Sequence, residues 1–392
     1  MAPFLSLSLS LFALKKLPNY FTGKVASDER VVFFPTAASA LNETHWHVPI
    51  HGWIFEPGEE SVKRKAFLKI LRKVFSVTKR EEKEILYRRV MPFAVDNKSR
   101  KYVKIKFQGL GDGAVFGGSI DNVESVRSDE DDHDDSLVCR LPRSSKDGHF
   151  FANLTLDGTS VTNMMKDEDN PVPKLHFEAV NVCKDDNRVF PGVVHFIPPT
   201  GISIVSDIDD TVKITNVGNK TDFYRNTFLR PFRPVPGIVQ HFVDCESYYE
   251  NCCFHYVSSS PYQLFEELYN FLNAEGFPSP VSMHLKKIRI KDKTLLQLLA
   301  DPQDYKMRQI EPLLKQFPNR TFIFVGDSGE KDPEIYKNLV RKYPSQIKDV
   351  WIRNVNNSTQ ARMNGLKEIQ WKYFSNGSDL KERMLNFQSM NE

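Results

Sequence analysis

Asp207, Asp209 and Thr211 occupy alternate positions of the run Ser206-Asp207-Ile208-Asp209-Asp210-Thr211. Two carboxylates held this close suit phosphoryl transfer: one attacks phosphorus, the other moves a proton, and a divalent cation offsets their repulsion. By itself the spacing also fits acids that line a loop or cap a helix. Two further stretches carry matching chemistry. Val257-Ser258-Ser259-Ser260-Pro261 offers Ser258 as a hydroxyl donor to a phosphate oxygen, with Ser260 expected to cap a helix that opens at Pro261. Val325-Gly326-Asp327-Ser328-Gly329-Glu330-Lys331-Asp332 offers Asp327 as an oxygen ligand for a hard cation such as Mg²⁺. Asp332 precedes Pro333, so it either caps the helix there or reaches the cation's water shell. A lysine could neutralise Asp207 and hold phosphate. Lys306, at the start of a helical stretch, is one candidate beside Lys286, Lys287, Lys291 and Lys293.

These residues need a scaffold that gathers them. Ile202–Ser206, Phe254–Val257, Thr321–Val325 and Val350–Val355 are short apolar runs that read as strands. Between them, a stretch from Ser260 to Gly276, Asp304–Gln316 and Pro333–Lys342 read as helices. Such alternation predicts a Rossmann-like parallel α/β sheet, and the acids leave the carboxyl ends of its strands, where open sheets place ligands. Upstream, Val31–Phe34, Trp46–Phe55, Lys101–Phe107, Phe150–Leu156 and Val193–Ile197 read as strands of a β-rich, sandwich-like domain. Pro198-Pro199 marks the boundary. The expected division is an amino-terminal apolar segment (1–23), the β-rich domain (24–199), the α/β domain (200–358) and a helical tail (359–392).

Composition narrows the function classes. A length of 392 residues suits two or three domains, and a formal charge of +3 does not mark a nucleic-acid binder. Five cysteines without CxxC spacing favour free thiols and a reducing, cytoplasmic setting. A secreted protein is the alternative, since Asn-x-Ser/Thr triplets begin at Asn42, Asn97, Asn153, Asn219, Asn319, Asn356, Asn357 and Asn376. The apolar stretch Phe4–Leu14 lacks a basic start and a small-residue cleavage site, and no segment reaches the roughly 18 apolar residues of a membrane span. Glu60–Phe75 reads as a helix with Val62, Ala66, Phe67, Ile70, Leu71 and Val74 on one stripe and Lys63, Arg64, Lys65, Lys69, Arg72 and Lys73 around it. It either docks on the β-rich sheet with a solvated basic face or meets anionic lipid. Ser128–Ser136, a run of acids around His133, reads as a solvated loop. The GxxxxGK[ST] and GxSxG motifs are absent, as is a strand-borne GxGxxG.

In order, strand-DxDxT, strand-Ser, Lys and strand-GDxxxxD resemble the haloacid-dehalogenase superfamily of phosphotransferases. More closely, Ser206-Asp207-Ile208-Asp209-Asp210-Thr211-Val212-Lys213, Asn226-Thr227-Phe228, Phe232-Arg233-Pro234-Val235-Pro236-Gly237, Val257–Pro261 and Val325–Tyr336 resemble the actin-patch phosphatidate phosphatase family of fungi. The resemblance is strong over Val193–Val355 and weaker through Trp46–Pro57. It implies a Mg²⁺-dependent phosphatase that converts phosphatidate to diacylglycerol through an aspartyl-phosphate. By motif position, Asp207 is the nucleophile and Asp209 the general acid/base. Ser258, Lys306 and Thr211 would bind phosphate. Asp207, Asp327 and Asp332 would hold the metal, with Asp209 joining through its backbone carbonyl. Residues 213–236 would form a compact cap whose Arg225, Arg230 and Arg233 either face an anionic head group or are solvated surface. Implied partners are an anionic phospholipid surface, met peripherally, and actin-patch or endocytic proteins. The Pro-rich, SH3-binding tail of some members has no match here. Two other readings follow the same residues: a phosphatase acting on a phosphoinositide, soluble metabolite or phosphoprotein, and a non-catalytic membrane or actin-patch adaptor.

Overall fold

A computed structural model describes residues 23–57, 68–73, 75–110, 124–126, 138–159, 161, 172–180, 186–288, 303–355, 360–367 and 370–387. The apolar stretch Phe4–Leu14, the acidic run Ser128–Ser136, and Lys63, Arg64 and Lys65 lie outside them. The chain divides into two compact units, one made of residues 1–58, 95–168 and 173–196, the other of 59–94, 169–172 and 197–392.

The first unit is built of strands: β1 (Arg30–Phe34), β2 (Thr36–Ala40), β3 (His45–Glu56), β4 (Asp96–Asn97), β5 (Lys104–Phe107), β6 (Glu124–Val126), β7 (Val138–Arg140), β8 (His149–Asp157), β9 (Lys174–Val180) and β10 (Pro191–Phe196). They follow the order β1-β3-β2-β10-β9-β5-β7-β6, with β4 and β8 also paired to β3. All five expected strands are present. β2 escaped notice because Thr-Ala-Ala-Ser-Ala has little β-branched or aromatic character. The core joins Phe33 of β1 to Phe150 of β8, ring centroids 5.8 Å apart, and to Phe177 of β9 at 4.9 Å. Two glycines make room for these rings. Gly52 pairs with both Phe33 and Phe150, and a Cβ there would lie 2.3 Å from the Phe150 ring. Gly192 pairs with Phe177, and its Cβ would meet that ring at 2.2 Å.

The second unit holds a parallel sheet with helices. Its strands are β11 (Ile202–Ser206), β12 (Cys253–Pro261), β13 (Pro280–Lys286), β14 (Thr321–Asp327), β15 (Ile347–Arg353) and β16 (Trp371–Phe374). Their order is β13-β12-β11-β14-β15-β16, and every pairing is parallel. β11 is central, and the chain reverses direction across the sheet between β11 and β14, the switch point where such sheets open a crevice. The helices are α1 (Arg80–Val90), α2 (Lys220–Phe228), α3 (Ile238–Tyr248), α4 (Phe265–Ala274), α5 (Gln303–Gln316), α6 (Asp332–Lys342) and α7 (Lys381–Leu385). Cys139 of the first unit and Cys245, Cys252 and Cys253 of the second are free and buried. Among the described residues no helix is long and apolar enough to cross a membrane.

Three expectations are corrected. Residues 59–94 cluster with the α/β unit, not with the β-rich strands. Within them residues 68–73 are helical, Leu68 is buried, and Ile70 is 61% exposed, so Ile70 leaves the apolar stripe. The tail beyond residue 359 is not simply helical: Trp371–Phe374 adds the sixth strand, pairing Val350 with Trp371 through to Arg353 with Phe374. A capping box of Asn376 and Asp379 then starts the turn before α7. Finally, β12 runs through the three serines to Pro261, and α4 begins only at Phe265 without a side-chain cap. Between Val257↔His284 and Pro261↔Lys286, β12 advances four residues and β13 two. The two extra residues form a bulge that frees the serines from the ladder.

Candidate active site

The site forms where β11, β12 and β14 end. Asp207 follows β11, and its N–H donates to the Val325 carbonyl of β14 at 2.9 Å. The chain then turns sharply. Thr211, Val212 and Lys213 all donate their N–H groups to the Ile208 carbonyl, and Asp210 takes a left-handed φ of 56°. Short polar Asp tolerates that conformation. The Asp210 carboxylate accepts from the N–H groups of Thr215, Asn216 and Val217 at 2.6–2.8 Å, and Arg353 donates to its carbonyl. The third acid of the run is therefore structural.

Around Asp207 the structure gathers Lys306, Asp327 and Asp332, all buried. Lys306 Nζ lies 3.0 Å from Asp207 Oδ1, 2.5 Å from Asp332 Oδ1 and 3.6 Å from Glu330 Oε2. Among the described lysines, Lys306 is thus the one that meets Asp207. Thr211 donates its hydroxyl to Asp207 Oδ2 at 3.1 Å, so it holds the carboxylate rather than facing outward. Asp327 Oδ1 accepts from the N–H groups of Gly329 and Glu330. Asp332 does not cap α6, whose N-cap is Lys331 without a side-chain bond. Instead its Oδ2 accepts from the Asp327 N–H at 3.2 Å. Gly326 permits this approach, since a Cβ there would lie 2.5 Å from Asp332 Oδ2.

Asp207, Asp327 and Asp332 each place a carboxylate oxygen within 4.8 Å of the others. Burial pushes Asp207 well above the usual carboxylate range; Lys306 pulls the other way, and Asp332, Glu330 and Asp209 add to the rise. Asp327 is raised well above that range for the same reason, burial first and then Asp332, Asp207 and Glu330. Burial opposes the Lys306 charge too, but the surrounding acids hold it well above the usual lysine range. One ammonium thus faces an excess of carboxylates. Asp327 Oδ2 is buried and has no hydrogen-bond partner among the described residues. An all-oxygen cluster with surplus negative charge and an unsatisfied carboxylate oxygen fits a hard divalent cation.

Asp209 occupies a separate environment and its carboxylate is not in that triplet. Oδ1 accepts from Lys213 Nζ at 2.7 Å and from the Thr215 hydroxyl at 2.8 Å. Oδ2 accepts from Ser260 Oγ at 2.6 Å and from Ser258 Oγ at 3.4 Å. Burial works against its charge, but the Lys213 ammonium and the Ser260 and Thr215 hydroxyls hold Asp209 below the usual range. Two carboxylates two residues apart are thus driven in opposite directions by their surroundings.

Sequence reasoning missed Lys213, Thr215 and Ser260 as site residues. Ser260 reads in sequence as a helix cap, whereas its hydroxyl donates to Asp209. Ser259 Oγ is also buried and without a partner among the described residues. The cap arginines are only partly free: Arg225 pairs with Glu82 at 3.4 Å and Arg230 with Asp222 at 3.3 Å, while Arg233 is exposed.

Residues 202–354 match the family model described as Phosphatidate phosphatase APP1, catalytic domain. Over these residues the chain is similar to that family. Phosphatidate phosphatase APP1 of Saccharomyces cerevisiae is 31% identical over 175 residues, covering 44% of this chain and 29% of the yeast protein. An uncharacterized protein of Schizosaccharomyces pombe is 29% identical over 172 residues, 43% of this chain and 27% of its own. The chain thus spans less than a third of the length of either relative. The match includes every expected site residue but excludes residues 59–94, which the structure groups with the same unit.

Proposed function

We propose that the protein is a Mg²⁺-dependent phosphatidate phosphatase of the haloacid-dehalogenase type, releasing diacylglycerol and phosphate through an aspartyl-phosphate. The observation that carries this reading is the buried triplet of Asp207, Asp327 and Asp332, with Lys306 between Asp207 and Asp332 and a second carboxylate, Asp209, beside it. The catalytic-domain match supports the choice of substrate.

Asp207 attacks phosphorus in line and displaces the diacylglycerol alkoxide, forming an acyl-phosphate bond. Asp209 protonates that alkoxide, and an arriving phosphate favours its protonated form by adding negative charge nearby. As a carboxylate again, Asp209 takes a proton from the water that opens the aspartyl-phosphate. Ser258, Ser259 and Lys306 hold phosphate oxygens. Asp207, Asp327 and Asp332 would hold Mg²⁺, which supplies positive charge against the phosphate oxygens when bound. The enzyme works at the cytoplasmic face of anionic membranes, docked peripherally alongside actin-patch proteins. Exposed Lys69, Ile70 and Lys73 on one short helical stretch support the lipid contact.

The test is phosphate release from phosphatidate in mixed micelles, compared with phosphoinositides, soluble phosphomonoesters and a phosphopeptide. Phosphatidate should be preferred, and Asp207→Asn and Asp209→Asn should each lose at least about a thousandfold in kcat. Preference for a soluble ester would reassign the substrate, and wild-type turnover in both variants would overturn the site. A folded, Mg²⁺-loaded protein inactive on every substrate would leave the adaptor reading.

A further inference from the structure

Arg89 lies on α1, outside the segment that matches the catalytic family, yet it is 2% exposed. Its Nη1 donates to the carbonyls of Thr227 at 2.9 Å and Arg230 at 2.8 Å, with Asn226 at 3.5 Å. Its Nε donates to Glu267 at 3.0 Å. One side chain therefore collects the carbonyls at the carboxyl end of α2 and in the loop that follows it. A buried guanidinium with fixed fork geometry suits that task, and lysine could not reproduce it.

Two routes lead from Arg89 to Asp209 Oδ1. In the first, the guanidinium carbon lies 3.5 Å from the Phe232 ring centroid, and Lys213 Nζ lies 4.6 Å from the same centroid. Lys213 then donates to Asp209. Backbone pairing reinforces this route, because Ile214 donates to Arg233 and Val235 donates to Val212. In the second, Asn226, whose carbonyl faces Arg89, donates its side-chain amide to the Thr215 carbonyl at 3.0 Å. Thr215 donates its hydroxyl to Asp209.

We propose that Arg89 is a positioning residue for Asp209, acting through Phe232–Lys213 and through Asn226–Thr215. The catalytic unit is then incomplete without residues 80–90. Lys213 has a flexible four-carbon stem, and without a fixed Phe232 ring its ammonium has only Asp209 and Thr215 to define its place. A misplaced carboxylate lowers the rate of proton transfer without removing the phosphate contacts, so kcat should fall while KM holds.

This inference rests on reading Asp207 and Asp209 as a phosphotransfer pair, and the experiment separates the two. Steady-state kinetics would use the full chain with p-nitrophenyl phosphate and with phosphatidate micelles. Arg89→Met and Phe232→Leu should lower kcat by roughly tenfold to a hundredfold, with KM changed less than about threefold. Arg89→Lys should recover only part of the loss. Arg89→Met added to Lys213→Met/Thr215→Val should cost nothing beyond that double variant, since both routes are then already cut. Arg383→Met breaks a buried ion pair with Asp349 in the same unit and serves as the stability control. It should lower Tm and leave kcat unchanged well below Tm. Wild-type kcat in folded Arg89→Met and Phe232→Leu, or losses that multiply with Lys213→Met/Thr215→Val, would overturn the proposal. If the wild type turns over neither substrate, the phosphatase reading fails, and a crystal structure of Arg89→Met still decides this one. The Lys213–Asp209 contact should be broken there, and an unaltered contact would overturn the inference.

Discussion

Asp327 shows how much a single atom can say. One oxygen of its carboxylate is tied to backbone N–H groups and the other is buried without a partner among the described residues. A buried unsatisfied acceptor costs about 1–3 kcal/mol unless a ligand meets it. Asp327→Asn removes one of the mutually repelling buried acids. The metal-free variant should therefore melt no lower than wild type. The rise in Tm on adding Mg²⁺, about 2.7 kcal/mol of stabilisation at a hundred times Kd, should disappear with it. Thermal melts with and without Mg²⁺ check both halves. An undiminished Mg²⁺ response in Asp327→Asn would place the cation elsewhere.

At the scale of elements, function is set by where strands end and by which helix joins which unit. β12 brings Ser258 and Ser260, two residues apart, to one carboxylate oxygen of Asp209, and its bulge frees this stretch from the ladder. The helical residues 68–73 belong to the α/β unit and carry exposed Ile70 between exposed Lys69 and Lys73. Each basic side chain near an anionic surface contributes about 1 kcal/mol, so reversing two of them should weaken binding by at least tenfold. Lys69→Glu/Lys73→Glu should bind phosphatidylserine vesicles more weakly in co-sedimentation, with a shallower salt dependence. Turnover of p-nitrophenyl phosphate should be unaffected. Undiminished sedimentation would assign this stretch to packing alone.

At the scale of the whole molecule, buried ionisable groups tie stability to pH. His241 on α3 is 3% exposed and packs against Trp351, with ring centroids 5.1 Å apart. Burial lowers its pKa to about 4, Asp244 opposing weakly. Unfolded, the same histidine takes up a proton near pH 6.5, so the unfolded chain binds more protons between these values. Its contribution is present above pH 6.5 and is lost as pH falls toward 4, by roughly 2–3 kcal/mol at pH 4.5. His241→Gln should therefore lose less unfolding free energy than wild type between pH 7 and pH 4.5 in urea titrations. Equal losses would show that His241 is not a source of acid sensitivity.

Local features were legible in the sequence: the strand that delivers Asp207, the strand that delivers Asp327, the alternating α/β order and the likeness of residues 202–354 to one family. Apolar runs of strand length and a two-residue acid spacing are short-range patterns, legible without knowing what packs against them. Tertiary structure decided the partners. Lys306 meets Asp207 across about a hundred residues, Ser260 reaches Asp209 across about fifty, and Asp332 turns from a helix cap to Lys306. Trp371–Phe374 becomes a strand because β15 offers it an edge, and residues 59–94 join the α/β unit where Arg89 finds its carbonyl acceptors. Each of these depends on closing a long loop, whose outcome is set by burial and hydrogen-bond satisfaction over the whole unit rather than by any pattern within it.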